Sequence, residues 1–224
     1  MPDRIHVLPD SIANQIAAGE VIQRPASVVK ELMENAVDAG ATSIDLIIKD
    51  AGRTLIKVND DGSGMSETDA RLCFERHATS KIKTADDILS LHTKGFRGEA
   101  LASIAAIAHV ELRTKKSGMD VGTHLIVEGS QCKEQSPCPC ETGASFAVKN
   151  LFYNVPARRN FLKSESVEYT HILEEFIRIV LVHPEIKFSL YHNDKQEYQL
   201  PKTSLKQRII NVFGNNYNER LLPL

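Results

Sequence analysis

Apolar and polar residues follow a helical spacing in two segments near the start of the chain. The segment PASVVKELMENAVDA, residues 25–39, interleaves apolar and polar side chains, and Pro25 suits the first turn of the helix that this spacing predicts. Gly40 follows as a left-handed cap. The preceding segment LPDSIANQIAAGEVI predicts a shorter helix that is capped by Asp10 and stops at Gly19. We therefore expect the domain to open with two helices.

Short runs rich in β-branched residues predict strands in the rest of the chain. SIDLIIKD and TLIKVNDD are joined by AGR and predict a hairpin. Ser66 and Asp69 form a capping pattern at the start of a helix that we expect to reach about Arg76. Hairpins mixed with helices favour an α+β two-layer sandwich over a doubly wound parallel sheet. Further helices are predicted for EALASIAAIAH and SVEYTHILEEFIRIVLVH, and further strands for HVELRTKK, THLIVEG, SFAVKNLF and KFSLYHND.

Two parts of the chain depart from this regular pattern. Residues 77–100 are mostly polar and punctuated by glycine, with a short helix expected at ADDILSL, and such a long irregular stretch is typical of a functional lid. After Pro201 the segment SLKQRIINVFG predicts another helix, but nothing beyond it completes a second core. We therefore expect one domain over residues 1–200 and the opening of a second domain over residues 201–224.

The composition is that of a globular protein and narrows the function classes. Of the 224 residues, 42% are hydrophobic and 25% are charged, and the net charge is -2. This balance carries no overall nucleic-acid signature, although a local basic patch is compatible with it. No apolar run approaches the roughly 18 residues of a membrane helix. The N-terminal MPDRIHVLPD lacks the apolar core of a signal peptide, so we expect a cytoplasmic protein that does not contact a membrane.

Four cysteines are present, at positions 73, 132, 138 and 140. In a reducing compartment these side chains are thiols. The segment CKEQSPCPC could suggest a metal site, but no histidine lies near it in the sequence and its spacing matches no common zinc pattern. We interpret it as a proline-rich surface loop.

The segment at residues 25–39 also carries an unusual polar stripe. At 100° per residue, Glu31, Asn35 and Asp38 project within about 60° of one another, and Glu34 lies at the edge of the stripe. Apolar residues fill the opposite arc. Such a stripe alone is more typical of a solvated surface face than of a ligand site.

Two glycine-containing loops favour a nucleotide-binding site over a solvated surface face. In NDDGSGM, Asp60 ends a strand and could accept a hydrogen bond from the exocyclic amine of adenine. Gly62 and Gly64 then let the backbone approach a base and ribose closely. GFRGEALASI leads from a glycine loop into a helix, whose free N–H groups suit phosphate. It is not a Walker loop, because no Gly-Lys-Ser/Thr follows.

In this order the acidic helix, Asp-x-Gly-x-Gly and Gly-x-x-Gly resemble the GHKL ATPases. That superfamily includes type II topoisomerases, heat-shock chaperones, sensor histidine kinases and the MutL mismatch-repair family. Four longer strings resemble the MutL family, with the likeness running from about Leu8 to Leu162. They are NQIAAGEVIQRPASVVKELMENAVDAGAT, RHATSKI, GFRGEALASI and LFYNVPARRNFL. The resemblance implies a Bergerat-type fold, which is a mixed, mostly antiparallel sheet with helices on one face.

The resemblance also implies roles for individual residues. Glu31 is implied as the general base that polarises the attacking water, and Asn35 as the oxygen ligand of Mg²⁺. Asp60 is implied to read adenine, with Gly64 in the same motif. Residues of the lid string and of the phosphate loop are implied to contact the nucleotide: Thr79, Ser80, Lys81, Gly95, Phe96, Arg97, Gly98, Glu99, Ala100 and Leu101.

The implied activity is slow, Mg²⁺-dependent ATP hydrolysis that drives a conformational switch in mismatch repair. The resemblance implies a homodimer formed on ATP binding, the mismatch-recognition protein MutS as a partner, and DNA contacts that are mainly non-specific and to the backbone. The basic and aromatic residues of PARRNFLKS could contact DNA phosphates directly, but a strand-to-helix junction whose arginines pair with local acids is the slightly favoured interpretation. Two functional alternatives stay open: a nucleotide-binding module that does not hydrolyse ATP, because the family draws a lysine from the second domain, and a topoisomerase or chaperone ATPase.

One position departs from the family pattern. Where the family has Gly-Thr at the start of the strand before LFYN, this chain has Gly143, Ala144 and Ser145. The threonine hydroxyl is absent, although Ser145 is adjacent. The departure puts part of the hydrogen bonding in the adenine pocket in question, while the base, metal ligand and phosphate loop are unaffected.

Overall fold

The strands form one mixed sheet in the computed structural model, which describes residues 7–79 and 98–215. Within these residues the sheet has eight strands in the order β5-β4-β3-β6-β2-β1-β7-β8. Neighbouring strands are antiparallel except β1 and β7, which are parallel. The strands are β1 Ser43–Lys49, β2 Leu55–Asp60, β3 His109–Lys115, β4 Gly122–Glu128, β5 Gln131–Cys138, β6 Gly143–Lys149, β7 Lys187–His192 and β8 Lys195–Leu200.

Helices cover one face of this sheet, as the two-layer prediction requires. In β1 and β2 alternate residues are buried, because successive side chains point to opposite faces and only one face meets the helices. Helix α2 packs along α6, and α1 packs along α4. The helices are α1 Asp10–Val21, α2 Pro25–Asp38, α3 Glu67–Leu72, α4 Ala100–Ile107, α5 Pro156–Phe161, α6 Glu165–Val182 and α7 Leu205–Phe213. No helix in the described ranges is long and apolar enough to cross a membrane.

Helix α2 is fixed by its apolar side. Leu32, Met33 and Ala36 are buried against the sheet and α6, where Phe176 is also buried. Burial of the leucine, methionine and phenylalanine side chains stabilises the fold by about 1.5–3 kcal/mol each. The polar side chains of α2 are thereby held in a fixed orientation at the boundary of the core.

Several element boundaries differ from those predicted. Helix α1 begins at Asp10 and continues beyond Gly19 to Val21, so Asp10 is its first residue and not its cap. Helix α3 has the expected cap, since Ser66 Oγ accepts from the Asp69 N–H at 3.1 Å, but it ends at Leu72. The short helix expected at ADDILSL lies outside the described residues.

The interpretation of CKEQSPCPC as a surface loop was wrong, because Gln131–Cys138 is the edge strand β5. Its sequence has no apolar alternation, and its residues are half-buried or exposed. Pairing of its backbone with β4 supplies the order that side-chain burial does not. Strand β8, at the opposite edge, went unrecognised for the same reason.

Helix α7 is attached to the domain by a buried arginine. Arg208 is 0% exposed, and its guanidinium donates to five backbone carbonyls at 2.7–3.4 Å. These belong to Val180, His183, Pro184, Ile186 and Pro201. The contacts join the end of α6, the start of β7 and the segment before α7. The boundary of a second domain near residue 201 stays a prediction.

We expect Arg208→Ala to lower the free energy of unfolding by about 3–5 kcal/mol, since it leaves several buried carbonyls without a donor. Chemical denaturation with circular dichroism measures this loss. Lys206→Ala is the matched control, because Lys206 is an exposed cation on the same helix and its loss should change stability by less than about 0.5 kcal/mol. Equal effects of the two substitutions would contradict the role given to Arg208.

Candidate functional site

The polar stripe of α2 contains an internal ion-pair network. Lys30 Nζ lies 3.3 Å from Glu31 Oε1 and 3.1 Å from Glu34 Oε2. Burial alone would lower the pKa of Lys30, but its interactions with both carboxylates raise it above the ordinary value. Lys30 therefore stays charged and holds both glutamates on the same side of the helix. Asn35 is half-buried and Asp38 is exposed on the following turn.

Asp60 is the most strongly perturbed carboxylate near these residues. Burial raises the pKa of Asp60 to about 6, with a further contribution from the neighbouring Asp61, although backbone N–H groups of Gly62 and Ala144 donate to its carboxylate and act in the opposite sense. The Gly62 nitrogen lies 3.0 Å from Asp60 Oδ1. A carboxylate that is poorly solvated but still has acceptor capacity is suited to a ligand that brings its own donor.

Two glycines near Asp60 in the sequence or in the sheet have left-handed backbone: Gly64 in the loop after β2 and Gly143 at the start of β6. Gly64 has a φ of 63°, and a Cβ at this position would lie 1.9 Å from the Lys115 carbonyl oxygen. Gly143 has a φ of 120°, and a Cβ there would lie 2.0 Å from the Asp60 carbonyl oxygen. Side chains at either position would be sterically excluded as well as strained. Gly64 can therefore pack against the Lys115 backbone, and Gly143 against the Asp60 backbone, only because both residues are glycine.

The loop after Asp60 also contacts the end of α2. The Ser63 N–H donates to the Ala39 carbonyl at 2.9 Å, and a Cβ on Gly62 would lie 2.9 Å from the Ala39 Cβ. The structure thus brings together two motifs that are separated in sequence, namely the acidic helix and the Asp-x-Gly-x-Gly loop.

Asp61 has a different role from its neighbour. Its carboxylate accepts from the Thr42 N–H at 2.7 Å, the Thr42 hydroxyl at 2.6 Å and the Ser43 N–H at 2.8 Å. Burial pushes the pKa of Asp61 upward, but these hydrogen bonds outweigh burial and lower it. Asp61 therefore fixes the end of β2 to the start of β1 and has little capacity left for a ligand.

Thr114 is a residue of the site that the motif analysis missed. It is 0% exposed, its hydroxyl donates to the Gly143 carbonyl at 2.8 Å, and the Met65 N–H donates to its oxygen at 3.0 Å. The alternation of β3 could have placed it on the covered face. Its hydrogen bonds to Met65 in the loop after β2 and to Gly143 at the start of β6, however, depend on strand pairing that no local pattern reveals.

Ser145 does not take the place of the missing threonine hydroxyl. Asp60 pairs with Ala144 across β2 and β6, and Asn59 pairs with Ser145 one position along. Ser145 therefore projects from the opposite face of the sheet, where its hydroxyl donates to Asn59 Oδ1 at 2.8 Å.

The lid segment RHATSKI and the phosphate-loop segment GFRGEALASI contact each other at the residues that the structure describes. The His77 N–H donates to the Gly98 carbonyl at 3.1 Å, and a Cβ on Gly98 would lie 2.4 Å from the Ala78 carbonyl oxygen. Thr79 follows this contact, while Glu99 precedes α4. Ala100 and Leu101 form the first turn of α4. The other predicted residues of these strings lie outside the described residues: Ser80, Lys81, Gly95, Phe96 and Arg97.

A separate cavity of about 360 Å³ lies beside α3 and the β4–β5 edge. None of the predicted site residues lines it, and Phe74, Leu125 and Val127 form part of its wall. Among the described residues no three His, Cys, Asp or Glu side chains are grouped closely enough to hold a metal ion by themselves. The four cysteines are free thiols. The candidate nucleotide-binding site is therefore the group of polar residues around Asp60 and α2, and not this cavity.

Comparison with known proteins places this geometry in a family. The family model for histidine kinase-, DNA gyrase B- and HSP90-like ATPases matches residues 23–151. The DNA mismatch repair protein MutL of Parabacteroides distasonis is 64% identical over the whole chain, and that of Flavobacterium psychrophilum is 61% identical. The chain spans about a third of the length of these curated relatives, 36% in each case.

Solved structures agree with this assignment. The Aquifex aeolicus MutL ATPase domain complexed with ADP superposes with a TM-score of 0.70 at 31% identity, covering 86% of this chain and 70% of that chain. The N-terminal domain of a DNA repair protein gives a TM-score of 0.76 at 28% identity, covering 90% of this chain and 60% of that chain. The chain therefore belongs to the histidine kinase-, DNA gyrase B- and HSP90-like ATPases and, within them, to the MutL family of mismatch-repair proteins.

Proposed function

We propose that this chain binds ATP with Mg²⁺ and hydrolyses it slowly, as a conformational switch in DNA mismatch repair. The observation that carries the proposal is the poorly solvated Asp60 carboxylate, which is followed by a glycine-bearing loop that contacts the end of α2, the helix with the acidic stripe. Its acceptor capacity matches the exocyclic amine of adenine, and guanine has an oxygen at the same position. The relative from Aquifex aeolicus, which shares the fold, is complexed with ADP.

The donor set on α2 fits Mg²⁺ as a shared ion, bound by protein and nucleotide together. Asn35 would supply one amide oxygen, and phosphate oxygens and waters would supply the other ligands, as is usual for this hard cation. Bound Mg²⁺ would neutralise the charge that develops on the phosphates. The start of α4, with Gly98, Glu99, Ala100 and Leu101, would direct backbone N–H groups at the phosphates. Thr79, Ser80 and Lys81 would approach from the lid string.

Glu31 is the residue to which we assign water activation. Its carboxylate lies one turn before Asn35 on α2, so a base and a metal ligand share one helical face. Lys30 holds the carboxylate in place and shares its charge between Glu31 and Glu34. The base takes a proton from the attacking water and needs no covalent intermediate.

The wider biological role rests on the family. By analogy with its relatives, ATP would bring two copies of the N-terminal region together as a homodimer, and hydrolysis would separate them. The partners would be the mismatch-recognition protein MutS and DNA, contacted mainly through its backbone. The activity would take place in the cytoplasm.

Glu31→Gln should retain ATP binding and reduce hydrolysis by at least about a hundredfold, because it removes the proton acceptor and preserves the shape of the side chain. Glu34→Gln is the matched control, since Glu34 lies on the same helix and also pairs with Lys30. Phosphate release with and without Mg²⁺, on this chain and on a longer version of the protein, measures the effect. Similar losses in the two variants would contradict the assignment of Glu31, and ATP binding without any Mg²⁺-dependent hydrolysis would favour a non-hydrolysing module.

Asp60→Asn should reduce the preference for ATP over GTP. A carboxylate facing the six-position oxygen of guanine loses a hydrogen bond and adds repulsion, a penalty of about 1–3 kcal/mol or roughly 5–150-fold in affinity. An amide can present either a donor or an acceptor, so the discrimination should shrink. Calorimetric titration of both nucleotides measures it. If the parent chain binds GTP as tightly as ATP, Asp60 does not read the base.

The same substitution should stabilise the unliganded fold above pH 6. The pKa of Asp60 is about 6 in the folded state and 3.8 in the unfolded state. As the pH rises from 3.8 to 6, the unfolded state loses this proton first, so the free energy of unfolding falls. Asp60→Asn removes that cost, which we estimate at about 1–3 kcal/mol at pH 8, and the difference should vanish below about pH 3, where the carboxyl is protonated in both states.

Asp61→Asn is the control with the opposite sign. The pKa of Asp61 is lowered on folding, so its ionised form stabilises the fold at neutral pH and loses this effect as the pH falls. Asp61→Asn should therefore destabilise the fold at pH 8 and have less effect at pH 3. Denaturation curves across this range measure both variants. Destabilisation by Asp60→Asn at pH 8 would show that its burial is not a net cost.

A further inference from the structure

Two cysteines lie together where β5 ends and the chain turns back to β6. Strand pairing places Cys138 directly opposite Gly122 of β4. Side-chain positions that are paired in this way lie on the same face of a sheet, with their Cβ atoms roughly 4.5–5.5 Å apart. Because Gly122 has no side chain, the position beside Cys138 is open to a neighbouring group.

The thiol of Cys140 fills this position. A Cβ on Gly122 would lie 2.2 Å from Cys140 Sγ and 3.3 Å from the Cys138 carbonyl oxygen. The sulfur of Cys140 therefore occupies the side-chain position that faces Cys138 across the strand pair. The two thiols are thus neighbours on one face of the sheet. Both residues are half-buried, so a small reagent can reach their sulfur atoms.

The thiol of Cys140 also responds to the groups around it. Burial raises the pKa of Cys140, the neighbouring Cys138 raises it further, and the cations Lys115 and Arg113 act in the opposite sense. The two thiols therefore do not ionise together. This behaviour suits a pair in which one sulfur attacks as a thiolate and the other completes the reaction afterwards.

We propose that Cys138 and Cys140 form a reversible dithiol–disulfide site, which a low-molecular-weight disulfide oxidises. One cysteine thiolate attacks the small disulfide, forms a mixed disulfide with one half of it and releases the other half as a thiolate. The second cysteine then loses its proton and attacks the cysteine sulfur of the mixed disulfide, which releases the remaining half. In total the two cysteines lose two electrons and two protons, and the small disulfide gains them as two thiols.

Closing this disulfide should contract the segment that connects β5 with β6. Pro139 favours an extended conformation of Cys138, the residue before it. Two residues of extended chain span up to about 7 Å, whereas the two Cα atoms of a disulfide prefer a separation of about 4.4–6.8 Å. The new bond should therefore draw Cys140 toward Cys138 and move the residues that follow it.

The same segment leads to the candidate nucleotide-binding site. Gly143 lies three residues after Cys140 and packs against the backbone of Asp60, where a Cβ would lie 2.0 Å from the Asp60 carbonyl oxygen. Because this contact has no free space, a shift of the segment should be passed on to Asp60. In a reducing compartment the two thiols would stay reduced, so oxidising conditions would weaken ATP binding. This second part rests on the proposed function, whereas formation of the disulfide does not.

The first experiment equilibrates the full chain with oxidised and reduced glutathione, blocks the remaining thiols with N-ethylmaleimide and digests the product with trypsin. Cleavage after Lys133 and Lys149 places Cys138 and Cys140 in one peptide that does not contain Cys132. By mass spectrometry this peptide should carry no N-ethylmaleimide and no glutathione, and it should be lighter than the reduced peptide by two hydrogen atoms.

Cys132 is the matched control, since it lies on the same strand and is also half-buried. It precedes Cys138 by six residues, or roughly 20 Å along the strand, so it cannot reach either thiol. Cys132 should therefore form no disulfide within the chain. Cys138→Ser and Cys140→Ser preserve the side-chain shape, and each should leave the remaining cysteine of the two as a mixed disulfide with glutathione.

The second experiment measures ATP affinity by calorimetric titration before and after oxidation. Formation of the disulfide should lower the affinity about fivefold or more, which is the lower end of the usual coupling between two sites. Reduction with dithiothreitol should restore it. The double variant with Cys138→Ser and Cys140→Ser receives the same treatment and should keep its affinity, which separates the disulfide from oxidation elsewhere in the chain.

The possible failures are distinguishable. If the reduced parent chain does not bind ATP, the proposed function is wrong, while mass spectrometry still decides whether the disulfide forms. If only mixed disulfides form at Cys138 and Cys140, the inference is overturned. If the disulfide forms but the ATP affinity is unchanged, or if the double variant loses as much affinity as the parent, the coupling to nucleotide binding is overturned.

Discussion

The pairing register of β2, β6 and β3 is the constraint on which the rest of the site depends. Because side chains alternate between the faces of a sheet, this register places Asp60, Ala144 and Thr114 together beneath the helices. A slip of one residue would bring Asn59 and Ser145 to that face and expose Asp60 on the other. Side chains buried on alternate positions of β2 oppose such a slip, so the hydrophobic core and the polar site select the same register.

The two adjacent carboxylates at the end of β2 have different roles: Asp61 stabilises the fold, and Asp60 is available for ligand binding. Asp61 is supplied with three donors from residues 42 and 43, and it stabilises the junction between β1 and β2. Asp60 receives fewer donors than its burial demands, which is why its pKa rises. The well-satisfied residue holds the strand end in place, and the under-satisfied residue remains available to a ligand. Functional sites commonly carry this kind of local cost.

Features encoded by local patterns were predictable from the sequence, and those that depend on strand pairing were not. Helix α2, the β1–β2 hairpin and the glycine-bearing turn after Asp60 follow from spacing, capping residues and steric rules acting over a few positions. Strand β5 has no apolar alternation, so only its pairing with β4 reveals it. The contacts of Thr114 with Met65 and Gly143 depend on the register in the same way. Lys30 was not predicted, although its i, i+4 spacing from Glu34 is a local signal for an ion pair.

The register also explains how the site accommodates Ala144 where the family has threonine. This position pairs with Asp60 through the backbone of β6, which any residue except proline can supply. An alanine here therefore keeps the strand pairing beside Asp60 and lacks only the hydroxyl of the family's threonine. The small apolar side chain packs against the core instead. The Gly143 carbonyl just before it accepts from the buried Thr114 hydroxyl at 2.8 Å, so the start of β6 is held by a side chain of the neighbouring strand β3.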